Sequence, residues 1–448
     1  MCAVAGRWFE LKNVPNLGSV RRAASRTHPR RQAAARASET VTVNQLNGLH
    51  RLWRTLPRRF RQRVFHELLA IGVAGPASIP SGQVLEPVAV AGVLKASTGL
   101  GQAARLAVHA FRETGIAVRT FDLTKALRQV PTEPFDLGDH MGEGRGTLLL
   151  FATPPTVPLA LRVIGRRLLQ GKYRVGAWVC ETQTLPAFWR EQARWLHAIA
   201  APSSFSQDAI ASSIARTVHP LVHPVEAEPW PHEEEAPPRP PTVGAILDMG
   251  SSAARKNVTG ITNLCRQLLA RNAGIHIVLK VRDQSADGAA SADLHQLVED
   301  AEGRIELHTG DWSRMATVRF LDRLDLLFSL SRAEGFGLPI AEAMRRSTAV
   351  AAPFYAGPAD YLDGSTAISL PFRLIDIADP SALYDAWQGT WADVDVSTAV
   401  RLVAEALGNR PAFDRMRAEA RRRSRARFSS EQFVAQLQAI RQDASFGR

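Results

Sequence analysis

The chain has 448 residues, 45% of them hydrophobic and 22% charged, and a formal net charge of +12 at pH 7. That length asks for two or three domains rather than one core, and the composition is that of a soluble globular protein. No uncharged apolar run reaches the roughly 18–20 residues that span a bilayer, and three scattered cysteines, Cys2, Cys180 and Cys265, provide neither a disulfide framework nor a zinc site and point to a reducing, cytoplasmic setting.

The positive charge is concentrated at one end. Residues 1–82 carry 14 Lys and Arg against three acidic residues, while the rest of the chain carries 41 against 40. A nearly neutral body gives no electrostatic support for nucleic-acid binding. Residues 1–45, rich in Arg, Ala and Ser and without a period, read as disordered. From Leu46 a helical stripe runs through Leu49, Leu52, Trp53, Leu56, Phe60, Val64 and Leu68. Arg51, Arg54, Arg58, Arg59, Arg61 and Arg63 accompany it, and Pro57 marks a kink. Residues 46–73 suit either an anionic membrane surface, at the inner face of the membrane, or the body of the protein with a solvated basic face. The N-terminus has no secretory-signal pattern.

The body, taken from residue 83, alternates strands and helices. Val88–Leu94 reads as a buried strand, Gln102–Gly115 as a helix and Ile116–Phe121 as a strand. Thr147–Phe151 and Arg174–Val179 are further strands around a helical stretch Val157–Gln170. Such alternation predicts a parallel, doubly wound sheet. Glu226–Pro241, with its prolines and the acidic run Glu233–Glu235, reads as a linker. The pattern then restarts: strand Val243–Leu247, helix Asn257–Asn272, strand Ile275–Val281, strands Leu324–Leu330 and Thr348–Ala352 around a helix starting at Pro339. Ser430–Ile440 is an apolar-periodic closing helix. The expectation is an α/β protein with two Rossmann-like doubly wound domains, 83–225 and 242–425, facing a cleft.

The most informative stretch is Ser331-Arg-Ala-Glu334-Gly335-Phe336-Gly337-Leu338-Pro339-Ile340-Ala341-Glu342-Ala343-Met344. A strand leads into a glycine loop, and Pro339 sits where a helix begins. Exposed backbone N–H groups beside a helix N-terminus make an anion site, and Gly335 and Gly337 let the backbone come close to a phosphate. Glu334 and Glu342 flank the loop. Glu342 is expected on the first helical turn, within reach of a ribose. Acidic residues in a first turn and Gly-x-Gly loops are also common for purely structural reasons.

This segment resembles the donor-site signature E-G-F-G-L-P-x-x-E-A-M of family-four-type retaining glycosyltransferases of GT-B fold (group 1 glycosyltransferases). Arg255-Lys256-Asn257, Gly99-Leu-Gly101-Gln-Ala-Ala-Arg105 and Gly176-Ala-Trp178-Val-Cys-Glu181 resemble other elements of that family, as do Ala201-Pro-Ser203-Ser204-Phe205-Ser206 and His223-Pro224-Val225. The resemblance covers about residues 87–440. It implies a nucleotide-sugar donor as substrate with no cofactor and no metal, and a glycan or lipid-linked acceptor of the kind met in polysaccharide biosynthesis. By the same resemblance Lys256 and Arg255 would neutralise the donor diphosphate. Glu334 would contact the transferred sugar and Glu342 the ribose. The amides of Gly335, Phe336 and Gly337, with Leu338 beside them, would hold the phosphate or sugar, and Gly99 and Gly101 would bring the N-terminal loop to the diphosphate. Glu181 would be an acceptor-side base or orienting group, or a structural residue.

The sequence departs from the pattern in three places. Gly250-Ser-Ser-Ala-Ala stands where many members carry another arginine, Ser347-Thr-Ala-Val350 where they read G-x-P-V, and Asp360 where they have glutamate. Asp393-Val-Asp395 mimics a metal-binding D-x-D but reads as a solvated loop, His140 as a surface residue, and Trp178 and Trp189 as core. Two other functions compete. One is a dinucleotide oxidoreductase, since Gly99–Ala104 fits G-x-G-x-x-A and Asp122 ends the next strand. The other is a catalytically silent GT-B scaffold or sugar-binding protein. Residues 1–82 are expected to be dispensable for fold and donor chemistry.

Overall fold

The computed structural model describes Thr55, Glu67 and residues 70–79, 86–225, 240–271, 274–282 and 288–443. The basic stripe, the expected disorder over 1–45 and nearly all of the Glu226–Pro241 linker lie outside those residues. The described residues from Val73 onward group with the body. The reason is local. The Ala74 carbonyl accepts from Arg174 Nη1 at 2.8 Å, and the Ala77 carbonyl from His197 Nε2 at 2.7 Å.

The body contains two six-stranded parallel sheets. The first holds β1 (Val88–Gly92), β2 (Val118–Asp122), β3 (Gly146–Leu150), β4 (Lys172–Ala177), β5 (Ala198–Ala201) and β6 (His219–Pro220) in the order β2-β1-β3-β4-β5-β6. The second holds β7 (Thr242–Asp248), β8 (His276–Arg282), β9 (Ile305–Thr309), β10 (Leu326–Phe328), β11 (Ala349–Ala352) and β12 (Ile368–Ser369) in the order β12-β11-β10-β7-β8-β9. Helices on both faces require strands that are apolar throughout, and β1, β3 and β4 are buried along their whole length. The strand order reverses between β1 and β3 and again between β7 and β10. Crevices form outside the carboxyl ends of strands at such points.

Helix α1 (Gly99–Glu113) is capped by Thr98, whose hydroxyl accepts from Gly101 N at 3.1 Å. The helix expected over Val157–Gln170 is interrupted: α2 (Val157–Ile164) stops at Gly165, where φ is +86° and the chain turns. Helix α3 (Ser204–Ile214) follows β5. In the second half come α4 (Val258–Arg271), α5 (Gly288–Asp300), α6 (Arg314–Arg323), α7 (Leu338–Arg345), α8 (Val396–Gly408) and α9 (Arg410–Arg427). The closing helix α10 (Ser430–Gln442) returns to the first half. There Gln436 Oε1 accepts from Val222 N at 2.8 Å, Phe433 packs on Phe111, and Arg441 stacks 4.0 Å over the Tyr173 ring.

Asp393 is not in a solvated loop. It lies on β14 (Thr390–Val394), paired antiparallel with β13 (Phe372–Asp376), and accepts from Arg332 at 2.8 Å. Asp395 caps α8 by accepting from Thr398 N at 3.2 Å. Their side chains are thus occupied in two separate structural tasks, which removes the D-x-D reading. Trp178 and Trp189 belong to the core, and His140 is exposed.

Candidate functional site

A cavity of about 210 Å³ lies between the two halves, bordered by the carboxyl end of β7 and the loop that follows β10. Leu247 and Asp248, the Lys256 loop and the Glu334–Pro339 segment form one wall, and Ser97–Gly99, Gln102, Arg105 and Glu133 form the other. Two polar contacts cross its mouth. Ser97 Oγ donates to Asp311 at 3.0 Å, and Glu133 accepts from Arg314 N at 2.9 Å.

The glycine loop is held from beneath by its carbonyls. Gly335 O accepts from Ser203 Oγ at 2.6 Å and Ser206 Oγ at 3.1 Å, and Glu334 O accepts from Gly357 N at 2.8 Å. Phe336 is buried against His223, Tyr361 and Phe428. Gly337, with φ of +84°, turns the chain into α7 without a side-chain cap. Among the described residues the amides of Gly335, Phe336 and Gly337 reach no protein acceptor. Three N–H groups without a protein acceptor among the described residues thus directly precede α7, whose N-terminal dipole end is positive. Leu338 opens the helix and Pro339 is its second residue, so Glu342 stands one turn in rather than on the first turn expected.

Charges lie in a chain across the cleft. Lys256 Nζ donates to Glu334, and Arg255 lies 3.5 Å from Glu334 and 3.3 Å from Glu181. Arg255 is 1% exposed and also donates to Ala333 O at 2.7 Å and Ser251 Oγ at 3.1 Å. It is a strut beneath Glu334 more than a free phosphate clamp; Lys256 is the cation at the surface of the cavity. Burial works to raise the Glu334 carboxyl, but Lys256 and Arg255 overcome it and hold the group at about 2. Glu181, 6% exposed, is likewise held below the ordinary carboxylate range: burial opposes ionisation, Arg255 favours it, and Tyr384 OH donates at 2.5 Å. Tyr384 comes from the segment between β13 and β14, which also sets Trp387 edge-on against Trp189.

Gly99 is exposed beside the cavity, whereas Gly101 is buried. A Cβ on Gly101 would meet the carbonyl oxygens of Ala96 at 2.5 Å and Val93 at 2.6 Å. Its lack of a side chain serves the seating of α1 on its own loop, not the approach of a ligand. Asp122, the acid required by a dinucleotide reading, accepts from Thr124 N at 3.1 Å and so closes a local turn.

Several lining residues, Arg314, Arg282 and Lys280 among them, went unread in the sequence. Arg314 faces Glu342, which is 3% exposed; its Nη1 stands 2.8 Å from Oε1. Arg282 pairs with Asp248 at 2.7 Å. Lys280 stands beside them. His223 is 3% exposed, and neither ring nitrogen has a hydrogen-bond partner among the described residues; burial lowers it to about 3, so it is neutral. The signal for Lys280 and Arg282 was available, because charged residues alternate into an otherwise apolar strand at its carboxyl end.

No protein-family model and no curated protein matches the chain. Solved structures do. Anabaena HepE, solved with UDP-glucose, aligns over 78% of this chain and 97% of its own at 12% identity and a TM-score of 0.55. A glycosyltransferase from Rickettsia africae aligns over 80% and 97% at 10% identity and a TM-score of 0.54. The fold is GT-B. S. aureus TarM also aligns, at 13% identity and a TM-score of 0.47, over 66% of this chain and 55% of that one, so the chain spans about half of TarM's length.

Proposed function

We propose that the protein transfers a hexose from a nucleoside-diphosphate sugar to a glycan or lipid-linked acceptor, with retention of configuration. The observation that carries this is the set of three partnerless amides at the head of α7 beside Lys256 and Glu334. When the donor's glycosidic bond breaks, the leaving diphosphate gains negative charge, and fixed N–H dipoles and a cation stabilise it without reorganising. Lys256 takes the diphosphate and Glu334 the sugar. Glu342 takes the ribose hydroxyls. Glu181 positions Arg255, and through it the Glu334–Lys256 pair. HepE's complexes with UDP and UDP-glucose support the donor class.

The test is release of nucleoside diphosphate from a panel of nucleotide sugars by the purified protein. Slow hydrolysis of one donor, accelerated by a glycan or lipid-linked acceptor, is the expected result. Tight binding with no turnover under any acceptor would instead make the protein a silent sugar-binding GT-B scaffold.

Chelation supplies a second check. Among the described residues no His, Cys, Asp or Glu side chains gather as a metal-holding group, and cations and helix amides already face the leaving group. Turnover is expected to survive EDTA. Its abolition, with recovery on adding manganese or magnesium, contradicts that assignment. The reading extends to a place of action at the inner face of a membrane through residues 46–73, supported by their basic stripe alone. Among the described residues no helix is long and apolar enough to cross a membrane.

A further inference from the structure

Lys280 differs from the other cations around the cavity. Lys256 is paired with Glu334, Arg255 with Glu181 and Glu334, Arg282 with Asp248 and Arg314 with Glu342. Lys280 projects from β8 with 7% of its surface exposed and borders the cavity. Among the described residues no carboxylate lies within ion-pair distance of its Nζ and no acceptor within hydrogen-bonding distance; the ammonium sits 5.7 Å above the Trp312 ring.

The groups facing it come from every neighbouring element. Arg282 is on its own strand, Asp248 at the end of β7, His308 opposite on β9, and Asp311 and Trp312 on the turn before α6. Burial first and the Arg282 charge second lower the amine to about 8, with Asp248 and Asp311 working against both. An ammonium largely withdrawn from water, whose N–H donors meet no acceptor among the described residues, gains from an anion that completes it. The Trp312 face attracts the charge but accepts none of those donors in hydrogen-bond geometry.

Resting on the donor reading above, we propose that Lys280 binds the diphosphate of the nucleotide donor, as a second cation beside Lys256. Two features favour the diphosphate over the ribose or base. A compact, strongly hydrated ammonium is best repaid for desolvation by anionic oxygens, and the diphosphate is the anionic part shared by every such donor. Asp248 lies within the fields of both lysines, and all three line the same cavity.

The experiment is calorimetric binding of UDP, GDP, ADP and TDP, and of the matching nucleosides, to the full chain, to Lys280→Met and to Lys280→Arg. For the diphosphate that the unmodified protein binds best, Lys280→Met is expected to lose roughly tenfold or more in affinity while its nucleoside binds as before. Lys280→Arg is expected to keep most of the affinity. The sign with pH follows from a lowered lysine: charged below about 8 and neutral above it. Between pH 7.5 and 9.5 affinity for the diphosphate is expected to fall in the unmodified protein and to stay level in Lys280→Arg. Undiminished diphosphate binding by Lys280→Met overturns the proposal, as does an equal loss for nucleoside and diphosphate. If no diphosphate binds the unmodified protein, the donor reading itself fails, and this assignment with it.

Discussion

Lys256→Ala is expected to lower the turnover of donor by about 10²–10³, the equivalent of roughly 2.7–4 kcal/mol of transition-state stabilisation. The side chain touches Glu334 and borders the cavity, so its loss removes the counter-charge proposed for the leaving diphosphate and also loosens the carboxylate proposed to face the sugar. Stability should change little, because Glu334 keeps Arg255 at 3.5 Å. The measurement is kcat alongside a thermal melt. A fall of less than threefold with an unchanged melt removes Lys256 from the role given to it.

Gly335→Ala is the second large effect. A Cβ there would stand 2.2 Å from Val179 Cγ1 and 2.7 Å from the Cys180 carbonyl, both in the other half of the protein. The valine methyl can yield; the carbonyl is backbone and cannot. Overpacking of this sort costs about 1–3 kcal/mol, and displacement of a reacting group by even ~1 Å can cost roughly 10²-fold in rate. A lowered melting temperature together with a turnover loss of that order is the expected pair of results. Activity equal to the unmodified protein would show that the loop does not lie against Val179 during the reaction.

These two residues also show how far the sequence could be read. The strand–loop–helix around Gly335 was legible because a helix start leaves local marks: proline at its second position, glycines before it, an apolar strand behind. The alternation that placed β7, α4 and β8 was legible for the same reason. Three features were not. Arg314 meets Glu342 only through the fold, and nothing within α6 announces a partner on α7. Ser203 and Ser206 looked like a strand-end motif, but their hydrogen bonds to Gly335 O connect residues far apart in the chain. The hairpin of β13 and β14 was missed because Phe372-Arg-Leu-Ile-Asp376 is short and largely exposed, with little of the burial that makes a strand visible as a pattern. Gly101 shows a related difficulty. A glycine required by close packing and one required by a ligand look alike until the neighbouring carbonyls are placed.

The return of α10 to the first half bears on how the protein is made. Phe433, Leu437 and Ile440 share a core cluster with Val90, Phe111 and Val175, so the first sheet does not have its full cover until residues near 442 have left the ribosome. Synthesis at about 5–20 residues per second leaves that apolar face bare while the whole second half is still being translated. The amino-terminal half is therefore not a unit that can fold early and wait. Expressed alone as residues 73–225, it would expose the seat of α10 and aggregate, whereas the same fragment supplied with a peptide of residues 426–443 would regain a melting transition.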